Sequence, residues 1–259
     1  MRLAWASDLH LDFAGAAASE RFYQSVIEAR SDCLVITGDI GEADTWKRHL
    51  DIVEKRIQKP VYFVLGNHDY YRSTIAEVRK RAAASVGWLV KRGAMLLSPT
   101  VALLGHDGWG DGRLGDYAKS NVMLNDYLLI GELVHPNRFV RQRVLEALGD
   151  EAADHFRQWI PLAAQRSKRI FIATHVPPFR DACWHEGRTS DDNWLPHFSC
   201  AAAGDALLAA ADEFTDVEFT VLCGHTHGAG YVRMRPNIEV YTGGAVYGAP
   251  ALQRVFEFD

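Results

Sequence analysis

The sequence predicts a layered α/β fold, and two observations support this prediction. Apolar runs typical of buried strands alternate with amphipathic helical segments over residues 1–84. Strand-like runs return from residue 169 onwards, after a stretch with helical spacing. The chain has 259 residues, of which 48% are hydrophobic and 24% charged, so its composition is that of a globular protein with enough length for a buried core.

Nine short apolar runs predict the strands, and six segments with helical spacing predict the helices. The strands are expected at residues 2–7, 33–37, 61–65, 101–105, 169–174, 217–223, 230–235, 238–242 and 254–258. The helices are expected at residues 19–29, 45–55, 73–84, 136–148, 150–166 and 201–214. No internal repeat or linker is visible, so residues 1–259 are expected to form a single domain, with a helical insertion at about residues 126–166.

Charge and cysteine usage narrow the class of protein. The net charge of -5 gives no general attraction for nucleic acid, although a local basic groove would be compatible with such a partner. The four cysteines are scattered and are expected to be reduced. The N-terminus lacks the apolar core of a signal peptide, and no run has membrane-spanning length, so a cytoplasmic location without a membrane partner is expected.

Polar side chains follow five of the predicted strands, at the point where each strand ends. These residues are Asp8, His10, Asp39, Asn67, His68, His175, His225 and His227. The ends of parallel strands meet at one edge of an α/β sheet, where ligands bind, so the side chains are expected to converge. In the central turn Gly66 is expected to permit a sharp bend that presents the amide, imidazole and carboxylate of the next three residues together.

These side chains offer carboxylate, imidazole and amide donors without a thiolate. Such a set suits manganese, iron, zinc or nickel and argues against a thiolate zinc site or an oxygen-only calcium site. Seven ligands of this kind exceed what one ion needs, so two ions are implied. A pair of ions about 3.5–4 Å apart is the usual device for in-line attack at phosphorus.

The five motifs, in this order, resemble those of the calcineurin-like metallophosphoesterase superfamily. They are Asp-x-His, Gly-Asp, Gly-Asn-His-Asp, a lone His after a strand, and Gly-His-Thr-His, and they extend from Asp8 to His227. The resemblance implies a four-layer α/β/β/α sandwich of two mixed β-sheets flanked by helices. It also implies hydrolysis of phosphoric esters by a hydroxide that bridges two divalent or trivalent metal ions, Mn²⁺ first and Fe, Zn or Ni as alternatives.

The resemblance also assigns roles to the residues of the motifs. One ion would be held by Asp8, His10, Asp39 and His227, and the second by Asp39, Asn67, His175 and His225, with the Asp39 carboxylate bridging the two. His68 would donate a proton to the leaving oxygen or stabilise the transition state. Asp69 would orient His68.

The chain departs from one branch of the superfamily. Protein Ser/Thr phosphatases have Asp-Arg-Gly in the second motif and usually Glu after Gly-Asn-His, whereas this chain has Asp39-Ile40-Gly41 and Asp69. A protein phosphatase of that branch is therefore not expected. Phosphodiesterases and small-molecule phosphatases are left, with a phosphodiesterase slightly favoured. The alternative is a non-catalytic binding module of the same fold, but such relatives lose ligands that this chain keeps.

Two loops, residues 106–117 and 183–197, mix glycine with aromatic and charged residues, which is the content of a substrate pocket. The candidate contacts to a small phosphoester or nucleotide are Trp109, Arg113, Trp184, His185, Arg188 and Trp194. The alternative is that the tryptophans only pack these loops onto the predicted insertion helices. The oligomeric state is left open.

Overall fold

The computed structural model describes residues 1–259 and contains two large β-sheets, one small hairpin and eight α-helices. The strands are β1 (Arg2–Ala6), β2 (Cys33–Thr37), β3 (Val61–Val64), β4 (Met95–Ser98), β5 (Val101–His106), β6 (Arg169–Thr174), β7 (Trp184–His185), β8 (Arg188–Thr189), β9 (Glu218–Cys223), β10 (Gly230–Arg235), β11 (Ile238–Thr242) and β12 (Leu252–Glu257). The helices are α1 (Ala16–Glu28), α2 (Trp46–Ile57), α3 (Ile75–Ala82), α4 (Leu89–Arg92), α5 (Asp126–Leu129), α6 (Arg138–Ala164), α7 (Leu195–Phe198) and α8 (Ala201–Glu213).

Both large sheets are mixed. The four-stranded sheet has the order β12-β1-β2-β3, in which β1, β2 and β3 are parallel and β12 is antiparallel to β1. The six-stranded sheet has the order β10-β11-β9-β6-β5-β4, with parallel pairing from β11 to β5 and antiparallel strands at both edges. Strands β7 and β8 form the hairpin.

Alternating side chains along the strands separate the two faces of each sheet. Leu3, Trp5 and Val35 of the first sheet pack with Leu103 and Phe171 of the second in one buried cluster between the sheets. The opposite face of the first sheet packs against α1, α2 and α3, and that of the second against α6 and α8. This arrangement confirms the expected four-layer sandwich.

Most expected elements form, with shifts at their ends. Helix α1 begins at Ala16 rather than residue 19, because extended Gly15 occupies the N-cap position. Strand β4, which lies at a sheet edge, and the short hairpin β7–β8 were not expected from the sequence. None of the helices combines the length and the apolar composition that crossing a membrane requires.

The expectation of two helices between residues 136 and 166 is wrong, because the single helix α6 is continuous from Arg138 to Ala164. At Gly149 a side chain would bring its Cβ within 2.6 Å of the Cβ of Asp111, so this glycine permits close packing rather than ending the helix. Pro161 lies within the final turn. Helix α6 connects the adjacent parallel strands β5 and β6, which is the position of a crossover helix.

Candidate metal centre

The five polar turns follow β1, β2, β3, β6 and β9, and they face one another where the carboxyl ends of strands from both sheets meet. The structure brings together all seven residues that the sequence suggested as metal ligands. They fall into two groups that share one carboxylate.

The first group contains Asp8, His10, Asp39 and His227, whose potential ligand atoms lie within 4.8 Å of one another. The Nε2 atoms of His10 and His227 are 3.1 Å apart. Nε2 of His10 is 3.6 Å from Oδ2 of Asp39, and Nε2 of His227 is 3.5 Å from Oδ1 of Asp8. Two carboxylates and two imidazoles therefore face a common centre.

The second group contains Asn67, His175, His225 and the other oxygen of Asp39. Oδ1 of Asn67 is 2.9 Å from Nε2 of His175 and 2.9 Å from Nδ1 of His225, and these two nitrogens are 3.2 Å apart. Oδ1 of Asp39 is 3.6 Å from Nε2 of His175. Each oxygen of the Asp39 carboxylate thus faces one group.

The geometry and the chemistry of both groups fit metal ions. Bonds of about 2.0–2.2 Å to one ion at right angles would separate neighbouring ligand atoms by about 3 Å. The contacts within the groups, from 2.9 to 3.6 Å, are close to that value. The donors are imidazole, carboxylate and amide oxygen, which suit divalent transition ions.

The backbone of the turns is held in uncommon conformations. Five of the seven candidate ligands have positive φ angles between 44° and 68°, a region that non-glycine residues rarely adopt; they are Asp8, His10, Asp39, His225 and His227. Such conformations persist where the surrounding structure imposes them, and they cluster at functional sites. These turns therefore direct successive polar side chains to one point at a conformational cost.

Glycines allow the turns to approach one another. A Cβ at Gly66 would lie 2.5 Å from the backbone nitrogen of Asp39 and 2.7 Å from Cε1 of His175. Gly38 has a φ angle of +88°, and a Cβ at this position would lie 2.5 Å from Nδ1 of His175. Gly66 is thus required for close approach of the second and third turns, and its φ angle is not positive.

Hydrogen bonds from behind the site fix the ring and amide orientations. His175 bonds through Nδ1 to the carbonyl of Thr37 at 2.8 Å, which leaves Nε2 facing the group. Nδ2 of Asn67 donates to Oδ1 of Asp126 at 2.8 Å and to the hydroxyl of Tyr71 at 3.0 Å, so that Oδ1 of Asn67 faces inward. Such outer contacts orient metal ligands. The sequence did not identify Asp126 as a residue of the site, because no motif surrounds it.

The electrostatics of the bare side chains also indicate a cation site. Burial, together with the nearby Asp8 and Asp69, raises the pKa of Asp39 well above its ordinary value. Burial and the neighbouring His68 and His227 lower the pKa of His10 to about 2. Bound cations favour ionised carboxylates and neutral imidazoles, so they would remove the cost of clustering the carboxylates here.

His68 lies beside both groups: its backbone N–H donates to Oδ1 of Asp39 at 2.8 Å, but its ring makes no hydrogen bond to either group. Its ring centroid is 4.5 Å from that of His10 and 4.3 Å from that of Tyr71, and its Nε2 is 3.4 Å from the Tyr247 hydroxyl. Burial, followed by the neighbouring His175 and His227, lowers its pKa to about 3. The imidazole is free to contact a ligand in the adjoining pocket, which it lines.

The expectation that Asp69 orients His68 is wrong. The Asp69 carboxylate is fully buried and accepts hydrogen bonds from the backbone N–H groups of Gly66, Ile40 and Gly41, at 2.8–3.0 Å. None of its bonds reaches the His68 ring. Asp69 therefore ties the central turn to the turn after β2, and burial raises its pKa to about 7.

A cavity of about 520 Å³, called here the catalytic pocket, opens over both groups. Three of the six suggested substrate contacts line it, namely His185, Arg188 and Trp194. Residues that the sequence did not single out also line it, among them Tyr247, Phe198, Leu124 and Asp126. Tyr247 is 179 residues from His68 in the chain, so only the fold reveals their proximity.

The other three suggested contacts lie outside the catalytic pocket, and those suggestions are corrected. Trp109 is buried beneath the site, with its ring against that of Tyr70. Arg113 pairs with Asp111 and Asp150. Trp184 packs over Gly230, where a Cβ would overlap its ring. Each of these residues packs against or pairs with its neighbours in the fold. Residue type alone does not show whether a side chain has such a role or contacts substrate.

Several solved structures have folds similar to that of this chain. A dimetal phosphatase from Danio rerio is 13% identical, with a TM-score of 0.60 and coverage of 98% of this chain and 91% of its own. The phosphopantetheinyl hydrolase PptH from Mycobacterium tuberculosis is 15% identical, with a TM-score of 0.67 and coverage of 96% and 94%. A 5'-nucleotidase from Candida albicans is 12% identical, with a TM-score of 0.50 and coverage of 94% and 45%. At such identities the likeness concerns the fold.

The family follows from the sequence match. The family model of calcineurin-like phosphoesterases matches residues 1–229, and the chain belongs to that family. It is a metal-dependent phosphoesterase with the ligand groups of a dinuclear centre, so the alternative of a non-catalytic module is set aside. No match is found among curated protein sequences.

Proposed function

We propose that the chain hydrolyses small phosphodiesters in the catalytic pocket. In this proposal one metal ion is held by Asp8, His10, Asp39 and His227, and the second by Asp39, Asn67, His175 and His225. The single observation that carries the proposal is that the two oxygens of Asp39 face different ligand groups.

When bound, two such ions lower the pKa of water into the neutral range and offset the negative charge of a phosphoryl group. The chain's own residues supply the other requirements. His68 lies at the edge of the pocket, where the negative charge of a bound phosphoryl group would favour its protonated form, which can donate a proton to the leaving oxygen. Tyr247, 3.4 Å from Nε2 of His68, holds the ring toward the pocket.

The charges in the pocket favour a diester over a monoester. Arg188 is the one arginine or lysine that lines it, whereas Asp126, Glu186 and Asp191 add negative charge beyond Asp39. A diester carries one negative charge at neutral pH and a monoester close to two, so the diester meets less repulsion. Trp194, 41% exposed and stacked on Phe198, offers an apolar face for the second ester substituent.

The remaining details follow from the donor chemistry and the similar structures. Mn²⁺ is the proposed ion because it accepts mixed imidazole and oxygen ligands. Solved structures named as a dimetal phosphatase and a phosphopantetheinyl hydrolase share this fold, which supports a small-molecule phosphoester as substrate. We also infer a cytoplasmic location, which the four free, buried cysteines support.

The bridging role of Asp39 is tested by metal analysis of variants. Asp39→Ala should lose metal from both groups and abolish turnover of bis(p-nitrophenyl) phosphate with Mn²⁺. His10→Ala should lose mainly one ion, and Asp44→Ala, an exposed residue of the same turn region, should behave as wild type. Two ions per chain in purified Asp39→Ala would overturn the ligand assignment.

The diester preference is tested separately with the wild-type enzyme. Its kcat/KM for bis(p-nitrophenyl) phosphate should exceed that for p-nitrophenyl phosphate under the same Mn²⁺ concentration. A higher value for the monoester would refute the charge argument and leave the metal assignment intact.

A further inference from the structure

A second cavity lies on the other side of one chain segment that borders the catalytic pocket. This segment, residues 120–129, is called the strap. Leu124, Asn125 and Asp126 of the strap line the catalytic pocket. Its neighbours Ser120, Asn121, Val122, Met123, Tyr127 and Leu128 line the second cavity, of about 640 Å³. The two cavities are therefore separated by a single layer of chain.

Two arginines from the first turn of α6 line the second cavity without a carboxylate partner. Arg141 is 7% exposed and is the one arginine among the buried residues of the chain. Arg138 is half-buried, and its Nε atom is buried with no hydrogen bond. By contrast, Arg79 and Arg113, the other arginines with largely covered side chains near this helix, each pair with two carboxylates.

The contacts that the two guanidinium groups make leave part of each one free. Arg138 donates through Nη2 to the carbonyls of Tyr117 and Ser120, and Arg141 donates to the Tyr117 hydroxyl and to the carbonyl of His135. Cζ of Arg138 lies 5.0 Å from the ring centroid of Tyr117, and Cζ of Arg141 lies 4.1 Å from the ring centroid of Tyr127. Nη1 of Arg138 and Nη2 of Arg141 make no hydrogen bond within the protein.

Carbonyl groups and aromatic rings do not cancel two positive charges. A largely buried cation without an acid is costly, and a bound anion would offset that cost. Guanidinium groups match the oxygens of phosphate in particular. Ser120, Asn121, His135 and His197 add neutral polar groups to the wall, but much of the rest is apolar, with Met123 and Leu128 more than 60% exposed at the rim. Charge and polarity thus specify a ligand with one anionic and one apolar end.

We propose that the second cavity binds an organic phosphate with an apolar substituent, its phosphate at Arg138 and Arg141 and its substituent against the strap. This site needs no metal ion and does not depend on the reaction assigned to the catalytic pocket. Since the opposite face of the strap carries Asp126, which bonds to Asn67, occupancy of the second cavity acts on the same segment that orients that side chain.

The proposal is tested by calorimetry on the whole 259-residue chain in EDTA, which prevents anion binding through metal ions. Hexyl phosphate should bind with one site per chain, and more tightly than either inorganic phosphate or hexanol. Arg138→Gln should weaken binding at least about tenfold, the effect expected for losing a charge-assisted hydrogen bond. Arg141 is not replaced, because its burial makes misfolding a competing explanation.

Two further variants complete the design. Leu128→Glu, at an exposed rim position of the strap, should also weaken binding because it places a charged carboxylate against the apolar substituent. Arg143→Gln, an exposed arginine on the same helix, should leave binding unchanged. Absence of binding to the wild type, equal binding of hexanol, or equal affinities for Arg138→Gln and Arg143→Gln would each overturn the proposal.

Discussion

Asp126 provides the sharpest test of how the second ligand group is organised. Its carboxylate accepts two hydrogen bonds, from Nδ2 of Asn67 at 2.8 Å and from the Tyr71 hydroxyl at 2.9 Å. Asp126→Ala removes both, so Nδ2 of Asn67 keeps only the Tyr71 hydroxyl, at 3.0 Å, and Oδ1 is held inward less firmly. A hydrogen bond to a charged group contributes about 1.5–3 kcal/mol. If one such bond holds the amide, affinity for the second ion should fall about 10–150-fold.

The assay is titration of the metal-free protein with Mn²⁺, followed by calorimetry that resolves the two binding events. Asp126→Ala should weaken the binding event assigned to the Asn67 group and leave the other within about twofold. Tyr71→Phe removes the neutral acceptor of Asn67 and one partner of Asp126 but keeps the charged acceptor, so it should have a smaller effect. Asp116→Ala changes a solvent-exposed carboxylate that pairs with Lys119 and serves as the matched control. Identical titrations for Asp126→Ala and Asp116→Ala would refute the reasoning.

Three further outcomes are expected. His68→Ala should keep both ions yet lose about 10²–10⁴-fold in turnover of esters with alkyl leaving groups, and far less with nitrophenol, which leaves without a proton; equal losses would exclude the acid role. Arg188→Gln and Trp194→Ala should raise KM for a large diester but not for a small nitrophenyl ester. Trp184→Ala, the control, should change only thermal stability. If activity falls equally with both substrates, the pocket residues are structural. Burial and two nearby arginines lower the pKa of His197 to about 4 from 6.5. Its neutral form therefore stabilises the fold above pH 6.5, and this stability is lost as pH falls toward 4; urea unfolding should show a larger loss for wild type than for His197→Gln.

The candidate ligands were accessible from sequence because each directly follows a strand whose apolar run is recognisable. The strands that place Asp8 and His10, or His225 and His227, are the adjoining residues of β1 and β9, so the local sequence indicates where these side chains lie. The layered α/β class followed from the same runs, and the two-sheet sandwich from the resemblance.

What failed was the interpretation of residues whose surroundings come from distant parts of the chain. Trp109 and Trp194 are both tryptophans in glycine-rich or polar loops, yet one is buried against Tyr70 and the other borders the catalytic pocket. Asp126 bonds to Asn67 across 59 positions of sequence. Residue type and spacing do not encode such pairings, which depend on how the loops pack over the sheets.

The first ligand group has a consequence for when the protein can acquire its metal during synthesis. His10 and His227 lie 217 positions apart, and β1, which precedes His10, pairs with β12 near the end of the chain. At 5–20 residues per second, a ribosome takes about 10–40 s to produce His227 after His10. The early turn therefore leaves the ribosome long before its partners exist. The complete group can form only after His227 has been synthesised, so a metal ion bound by all four ligands cannot act as a template for the earlier part of the chain.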